Sequence, residues 1–199
     1  MNFFIEADEH NKKLLELAKS KPDKIVMSTF GIYCGITKTN DDVRSWGYTS
    51  NTRNILDEMI DKCNDITILI GISCYQSCRT ERCRYCENKY IMQTIRYLNH
   101  VDTFKSIKWR YSLDMHLKAY LFYHGNNKYG IIGGRNFTDS EWIDLTVSVD
   151  GENFDKVEKH VMLSIDKSYE LTPDSLYHIC LKSGISNKTV DEIIEQEYK

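Results

Sequence analysis

Hydrophobic positions in the first half of the chain follow helical spacing and strand spacing in turn. Residues 4–20 set leucines and an alanine among lysines and glutamates, the pattern of an amphipathic helix. Residues 24–36 are rich in β-branched and aromatic side chains and predict a strand. Helical spacing returns over residues 54–63. The continuous apolar run Ile66–Ile72 then predicts a strand that is buried on both faces of a sheet.

The second half of the chain predicts a helix over residues 87–99 and then several strands. One strand begins near Phe104, two more form a hairpin within residues 118–133, and a fourth covers residues 144–149. Strands and helices in this order predict an α/β fold, in which a mixed β-sheet is flanked by helices.

We place a domain boundary at residue 150. Residues 1–150 form the α/β domain, with a cysteine-rich insert at 74–86, and residues 151–199 form a small C-terminal helical appendage. From residue 150 onward the chain has 11 Asp and Glu against 6 Lys and Arg, a net charge of −5, whereas the residues before carry +2. The pattern of this appendage predicts two short helices around a turn. DNA-binding helix-turn-helix motifs have the same arrangement, but the excess of acidic residues disfavours DNA binding here.

Composition limits the classes of function. The chain has 199 residues, of which 41% are hydrophobic and 28% are charged, and this is enough for a packed core. Its net charge of −3 excludes a globally basic surface for nucleic acid but not a local basic groove. It contains no apolar run near the ~20 residues of a transmembrane helix and no signal-peptide pattern at its start. We therefore expect a soluble cytoplasmic protein, in the host cytoplasm if it is phage-encoded.

Four of the 7 cysteines fall in one segment with the spacing C-x3-C-x4-C-x2-C, namely Cys74, Cys78, Cys83 and Cys86. Close-set thiols in a reducing compartment favour metal over disulfides, and four thiolates can close tetrahedrally around Zn²⁺. Such a site has no open position, so we expect the zinc to be structural. An iron–sulfur cluster and a set of unliganded, partly buried cysteines are the alternatives. The interleaved Arg79, Arg82 and Arg84 would offset the negative charge of a zinc–thiolate centre.

Between residues 116 and 144 the sequence holds the residue types that bind and attack a phosphate. His116 and Lys118 lie two positions apart, so strand alternation puts both side chains on one face. The next strand ends in Gly133-Gly134, where a backbone can approach a ligand closely, and Asn136 follows. Lysine supplies charge, asparagine and backbone N–H groups supply hydrogen bonds, and histidine supplies a nucleophile or an acid.

These residues resemble the signature of the phospholipase D superfamily, which is H-x-K followed by G-[GS]-x-N. The matching positions are His116, Lys118, Gly133, Gly134 and Asn136. The resemblance covers about residues 24–150 and implies a phospholipase D-like sheet. The sequence departs from the family at Tyr123, where the signature has an aspartate that is often structural, and its spacing from lysine to glycine is longer.

The resemblance also implies the chemistry. In the family the catalytic histidine forms a phosphohistidine, lysine and asparagine stabilise charge on the phosphate oxygens, and no catalytic metal is required. A downstream carboxylate pairs with the histidine, and here Asp144 is the first candidate and Glu141 the second. Family enzymes need two motifs, whereas the complete motif occurs once in this chain. The resemblance therefore implies a homodimer whose two subunits share one active site.

Nucleic acid, with DNA favoured, is the expected partner and substrate, because single-motif members of the family are often nucleases, including restriction-type endonucleases. Arg135 lies inside the motif, and Arg82 and Arg84 lie in a basic segment, residues 79–96, with a net charge of +3. We expect these arginines to bind the phosphate backbone. The expected function is a metal-independent phosphodiesterase, most specifically an endonuclease. The alternatives are a phospholipid phosphodiesterase and a non-catalytic zinc-loop protein that binds nucleic acid.

Overall fold

The computed structural model describes residues 3–4, 7–30, 32–33, 51–71, 106–112, 115–134, 137–138, 144–172 and 175. The long helices in these ranges are α1 (Ala7–Lys19), α2 (Asn51–Lys62) and α3 (Gly151–Asp166). The strands are β1 (Phe3–Phe4), β2 (Lys24–Thr29), β3 (Ile32–Tyr33), β4 (Ile66–Gly71), β5 (Lys108–Ser112), β6 (Ala119–His124), β7 (Asn127–Gly133), β8 (Phe137–Thr138), β9 (Thr146–Val149) and β10 (Tyr169–Glu170). None of the helices in these ranges is both long and apolar enough to cross a membrane.

Eight of the described strands form one sheet in the order β1-β9-β7-β6-β2-β4-β5-β10. At its centre β2, β4 and β5 are parallel, with Ile25 beside Ile66 and Ile68 beside Trp109. The other neighbours in this sheet are antiparallel, including the β6–β7 hairpin. A second, small sheet pairs β3 with β8 in parallel. The prediction of a mixed sheet in an α/β fold is confirmed.

Helices cover both faces of the large sheet. α1 and α2 cover one face, and their contributions to its core include Leu14, Leu56 and Met59. α3 covers the other face with Phe154, Val161 and Ile165. Within β4, Ile68 belongs to the first core and Leu69 to the second, and both are fully buried. The central strand is thus buried on both faces, as its continuous apolar run predicts.

Several helices and strands begin or end at other residues than predicted, because pairing between short strands sets their bounds. The helix predicted from residue 4 begins at Ala7, since Phe3 and Phe4 pair with β9 at the sheet edge. The strand predicted over residues 24–36 ends at Thr29, and β3 pairs with β8 in the second sheet. The helix predicted over residues 87–99 and the cysteine-rich insert lie outside the described residues.

The segment after residue 150 begins with a helix that packs on the sheet. α3 is followed by β10, which pairs with β5 at the edge of the sheet opposite β1. Arg110 of β5 donates a 2.7 Å hydrogen bond to the Ser168 hydroxyl, and Leu171 is buried in the first core. Residues 151–171 therefore pack into the same body as the strands. The division at residue 150 stays a prediction, and the helices predicted beyond Thr172 lie almost entirely outside the described residues.

One end of the large sheet brings together the segments that carry the predicted chemistry. β2 and β4 are parallel and end there, at Thr29 and Gly71. β6 is antiparallel to β2, so it begins there, directly after Lys118. β7 ends there at Gly133, and β9 begins there at Thr146. We call this region the site end, and ligands of α/β sheets commonly bind beyond the carboxyl ends of the parallel strands.

Candidate active site

His116 and Lys118 lie in the segment that leads into β6 at the site end. Their side chains are in contact, because the Lys118 ammonium nitrogen lies 2.9 Å from Nδ1 and 3.1 Å from Nε2 of His116. The two side chains thus lie on the same side of this segment, although the segment precedes β6 and is not itself part of a strand. Lys118 is only 4% exposed, whereas His116 is an exposed residue. The imidazole is therefore open to a substrate, while the ammonium group is held inside the fold.

The two groups compete for positive charge. Burial first, and the Lys118 charge second, lower the pKa of His116 below its usual range. Burial also lowers the pKa of Lys118, and the Asp144 carboxylate opposes that shift. The ammonium nitrogen is almost equidistant from both ring nitrogens, so the contact does not single out one of them. The pair therefore sets an imidazole with a lowered pKa beside an ammonium group that can bind a phosphate oxygen.

Replacement of Lys118 by methionine is expected to raise the pKa of His116. Methionine keeps the buried volume, so the desolvation of the imidazole stays while the repulsion from the ammonium charge is lost. An NMR titration of the histidine ring protons measures this shift directly. Lys12→Met, at an exposed position of α1, is the matched control and should leave the His116 titration unchanged. A His116 pKa that is the same in Lys118→Met and in the wild type would contradict this description of the pair.

Gly133 and Gly134 follow β7 and approach the start of β9 closely. The Gly133 N–H donates to the Lys118 carbonyl and the Gly134 N–H to the Leu145 carbonyl, each at 3.3 Å. A Cβ atom at Gly133 would lie 2.3 Å from the Leu145 carbonyl oxygen, and one at Gly134 would lie 2.2 Å from a carboxylate oxygen of Asp144. At Gly133 backbone atoms leave no room for a side chain, whereas at Gly134 the three nearest atoms all belong to the Asp144 side chain. The sequence predicts that the backbone at this glycine pair approaches a ligand closely. In the structure this backbone approaches the segment at the start of β9.

Asp144 lies against the Gly134 backbone and acts on Lys118. Its carboxylate raises the pKa of Lys118 against the effect of burial. Among the described residues no hydrogen bond joins Asp144 to His116, which is the pairing that the family resemblance implies. Glu141, the second candidate for that pairing, lies outside the described residues. Within one chain, therefore, the charge of Asp144 acts on the lysine of the pair.

Two further predicted site residues, Arg135 and Asn136, lie outside the described residues, between Gly134 and Phe137. The residues on either side of them are anchored. Phe137 is buried, and its N–H donates a 3.0 Å hydrogen bond to the Thr29 hydroxyl at the end of β2. The chain therefore enters and leaves this pair of residues at the site end.

The predicted zinc ligands Cys74, Cys78, Cys83 and Cys86 and the predicted phosphate contacts Arg82 and Arg84 also lie outside the described residues. Among the residues that the structure does describe, no group of three or more His, Cys, Asp or Glu side chains is arranged to hold a metal. Cys63 is buried, and burial raises the pKa of its thiol. The zinc site remains a prediction.

Tyr123, where the family signature has aspartate, lies at the opposite end of β6 from Lys118. Its ring meets Phe154 of α3 edge-on, with the ring centroids 5.5 Å apart. Across the hairpin it pairs with Lys128, whose ammonium group lies 2.8 Å from the Glu158 carboxylate. The departure from the signature thus falls where the hairpin contacts α3, away from the site end.

A second His-x-Lys sequence, His10 to Lys12, lies in α1. Two helical positions are rotated by about 200° around the axis, so the side chains diverge. His10 is buried, with Nδ1 3.3 Å from the Thr146 hydroxyl, whereas Lys12 is exposed. Secondary structure therefore separates this pair from the His116 pair, although both match the same short pattern.

Phe30 is a residue of the site end that the sequence analysis did not identify. Its ring centroid lies 4.8 Å from that of the His116 imidazole. The available signal was its place directly after the apolar strand β2, since side chains that follow parallel strands gather at one end of a sheet. A lone phenylalanine in an apolar segment gives no chemical reason to expect this contact.

Comparison with known proteins gives matches of fold only. No family model and no curated protein matches the sequence. Phosphatidylserine synthase from Haemophilus influenzae Rd KW20 is 15% identical with a TM-score of 0.54, over 96% of this chain and 46% of its own. NucT from Helicobacter pylori is 11% identical with a TM-score of 0.52, over 85% of this chain and 98% of its own. TrmBL2, an archaeal chromatin protein, is 8% identical with a TM-score of 0.51, over 85% of this chain and 54% of its own.

The chain spans about half the length of TrmBL2 and of the synthase, and nearly all of NucT. At these identities the similarity concerns the course of the backbone. The similarity to NucT and to the synthase shows that the described part of the chain, a mixed sheet flanked by helices, shares its fold with these proteins.

Proposed function

We propose that this chain is a metal-independent phosphodiesterase, most specifically an endonuclease that cleaves DNA through a phosphohistidine on His116. One observation carries the proposal: at the site end an exposed imidazole with a lowered pKa touches a buried lysine ammonium. The pair combines a nucleophile with a fixed positive charge, and attack on a phosphodiester needs both.

In the proposed reaction a ring nitrogen of His116 attacks the phosphorus atom. A nitrogen–phosphorus bond forms, the bond to the leaving oxygen breaks, and that oxygen takes a proton from the partner subunit's His116. Water then attacks the phosphorus and gives a proton to the partner's His116, while the nitrogen–phosphorus bond breaks. One imidazole is again neutral and the other protonated, so the cycle closes without a metal ion.

This scheme uses two histidines, and the complete motif supplies one per chain. We therefore propose a homodimer in which two copies of the site end face each other. The exposure of His116 supports this arrangement, because a buried imidazole would be out of reach of a second subunit. Because the two rings start in different protonation states, the rate should depend on pH with two macroscopic pKa values that belong to the pair.

The other site residues have proposed roles around the phosphate. Lys118 and Asn136 stabilise charge that develops on the phosphate oxygens, and Asp144 opposes the lowering of the Lys118 pKa by burial. Gly133 and Gly134 let the backbone pack closely on the segment that carries Asp144. The arginines proposed to bind the substrate backbone are Arg82, Arg84 and Arg135.

Nucleic acid is the proposed substrate on two grounds. Residues 79–96 carry a net charge of +3 in a chain whose total is −3, and a local basic segment is suited to a polyanion. Among the structural neighbours, TrmBL2 is described as binding DNA, and the match to NucT covers nearly the whole length of NucT. The synthase among the neighbours makes phospholipid the appropriate comparison substrate.

The test is an assay of the purified full chain with plasmid, single-stranded DNA, RNA and phosphatidylcholine vesicles, with EDTA or with Mg²⁺. We expect cleavage of DNA at the same rate in both buffers, from a species of dimer mass by light scattering. Cleavage that requires Mg²⁺ would contradict the histidine mechanism and indicate metal-assisted chemistry. Hydrolysis of vesicles without cleavage of DNA would contradict the proposed substrate.

We also propose a structural zinc ion held by Cys74, Cys78, Cys83 and Cys86. Elemental analysis is expected to find about one zinc per chain, and Cys86→Ser should lower both the zinc content and the melting temperature. Cys63→Ala is the control, because that thiol is buried and donates to the Asp65 carbonyl, so its loss should leave the zinc in place. Iron in place of zinc, or full zinc content in Cys86→Ser, would contradict this site.

A further inference from the structure

Phe30, the first residue after β2, touches both members of the candidate catalytic pair. Its half-buried ring lies 4.8 Å from the His116 imidazole, centroid to centroid, with the ring planes tilted by 53°. The Lys118 ammonium nitrogen lies 5.7 Å from the centroid of the same ring. One aromatic side chain from β2 therefore contacts two groups that both come from the segment before β6.

Phe30 also packs closely on the end of β4. A Cβ atom at Gly71, the last residue of β4, would lie 2.9 Å from Phe30 Cδ2 and 2.4 Å from the Met115 carbonyl oxygen. Gly71 thus allows the ring and the residue before His116 to pack directly on β4. The ring therefore contacts the backbone of the sheet as well as His116, and both contacts limit its movement.

An exposed imidazole needs such support if it is to attack in a fixed direction. Without a neighbour it would sample several rotamers, and a displacement of about 1 Å at the reacting atoms can cost about 10²-fold in rate. Lys118 does not select an orientation, because its nitrogen is nearly equidistant from both ring nitrogens. Phe30 contacts the imidazole ring itself, and a tilted aromatic contact of this kind limits how the ring can turn.

The charges around the imidazole are few among the described residues. Lys118 acts on it from the same segment, and Asp144, before β9, acts on Lys118. β2 and β4 contribute Phe30 and Gly71 to this region, and neither residue carries a charge. A change at residue 30 should therefore reach the titration of His116 through solvation and orientation, without the loss of any charge.

We propose that Phe30 is a positioning residue, whose ring packs against the end of β4 and against His116 and holds the imidazole in the orientation for attack on phosphorus. Its effect on turnover rests on the proposed function of the site. Its effect on the imidazole does not, because the contact exists whatever the substrate is.

The test compares Phe30→Leu, which removes the ring, with Phe30→Tyr, which keeps it. In NMR titrations of the full chain, Phe30→Leu should raise the pKa of His116 towards its usual value, because water reaches a ring that burial had shielded. It should also lower kcat for DNA about 10- to 100-fold with KM unchanged, and shift the acid limb of the pH–rate profile to higher pH. Phe30→Tyr should match the wild type in all three measurements.

Tyr169→Leu is the matched control, because Tyr169 is 59% exposed and its ring contacts Tyr111 at the far edge of the sheet. It should leave the His116 titration and kcat unchanged, and thermal melts establish that each variant is folded. A raised KM with kcat unchanged in Phe30→Leu would overturn the proposal, because the ring would then bind substrate. An unchanged His116 titration would overturn it too. A shifted titration in a protein that cleaves no phosphodiester would support the Phe30 contact and remove the proposed function alone.

Discussion

Replacement of His116 by alanine is expected to abolish DNA cleavage in EDTA, with a loss of at least about 10³-fold. In a shared site the change removes the attacking nitrogen of one subunit and the proton donor of the other at once. The side chain is exposed, so the variant should keep the melting temperature and the mass of the wild type. Cleavage of supercoiled plasmid, measured with a nicking assay under single-turnover conditions, gives the rate.

His160→Ala is the matched control for this experiment. His160 is exposed on α3, which covers a face of the sheet, whereas His116 lies at the site end. The control should cleave at the rate of the wild type. If His116→Ala cleaves DNA as fast as His160→Ala, then the nucleophile is elsewhere and the assignment of this site is wrong.

Replacement of Gly134 by alanine is expected to damage the site without unfolding the protein. The new methyl group would occupy space 2.2 Å from one carboxylate oxygen of Asp144 and 2.5 Å from the other, and a carboxylate at the end of a side chain can move away. Lys118 would then lose the carboxylate that keeps its pKa from falling further. We expect kcat to fall about 10- to 100-fold, because the charge on the phosphate oxygens is less well stabilised.

The neighbouring glycine gives the contrast. Alanine at Gly133 would place a methyl group 2.3 Å from the Leu145 carbonyl oxygen and 2.7 Å from Thr146 Cα, and backbone cannot move aside in the same way. Gly133→Ala should therefore lower the free energy of unfolding, by about 1–3 kcal/mol, in a chemical denaturation experiment. Gly134→Ala combined with Asp144→Ala should be no slower than Asp144→Ala alone. Additive losses in the double variant would contradict the idea that Gly134 acts through Asp144.

The central part of the fold was predictable because its signals are strong and local. The apolar run that forms β4 is too hydrophobic to predict an exposed segment. In α1 and α2 the hydrophobic residues recur at helical spacing. The edge strands β1 and β10 were not predictable, since each has two residues and exists only through its partner strand. The helical spacing of Phe154, Val161 and Ile165 is present in the sequence, but the sheet face that they cover is a tertiary property.

The site was predictable to the extent that its residues lie close together in the sequence. The separation of His116 and Lys118 by one residue was enough to expect their side chains on one side of the chain, although this segment precedes β6. The contact of Phe30 with His116 joins residues from β2 and from the segment before β6, and the sequence gives no register for these strands. The influence of Asp144 on Lys118 depends in the same way on the pairing of β7 with β9.

The central claim is that His116 becomes covalently linked to phosphorus, and chemical trapping tests it most directly. The full chain is mixed with end-labelled DNA in EDTA and quenched in alkali during the first turnover, and the tryptic peptide of residues 111–118, which contains His116, is analysed by mass spectrometry. We predict a nucleotide adduct on His116 that survives alkali, is released by acid, and is absent from His116→Ala. Rapid cleavage in EDTA without any adduct on this peptide would contradict the account.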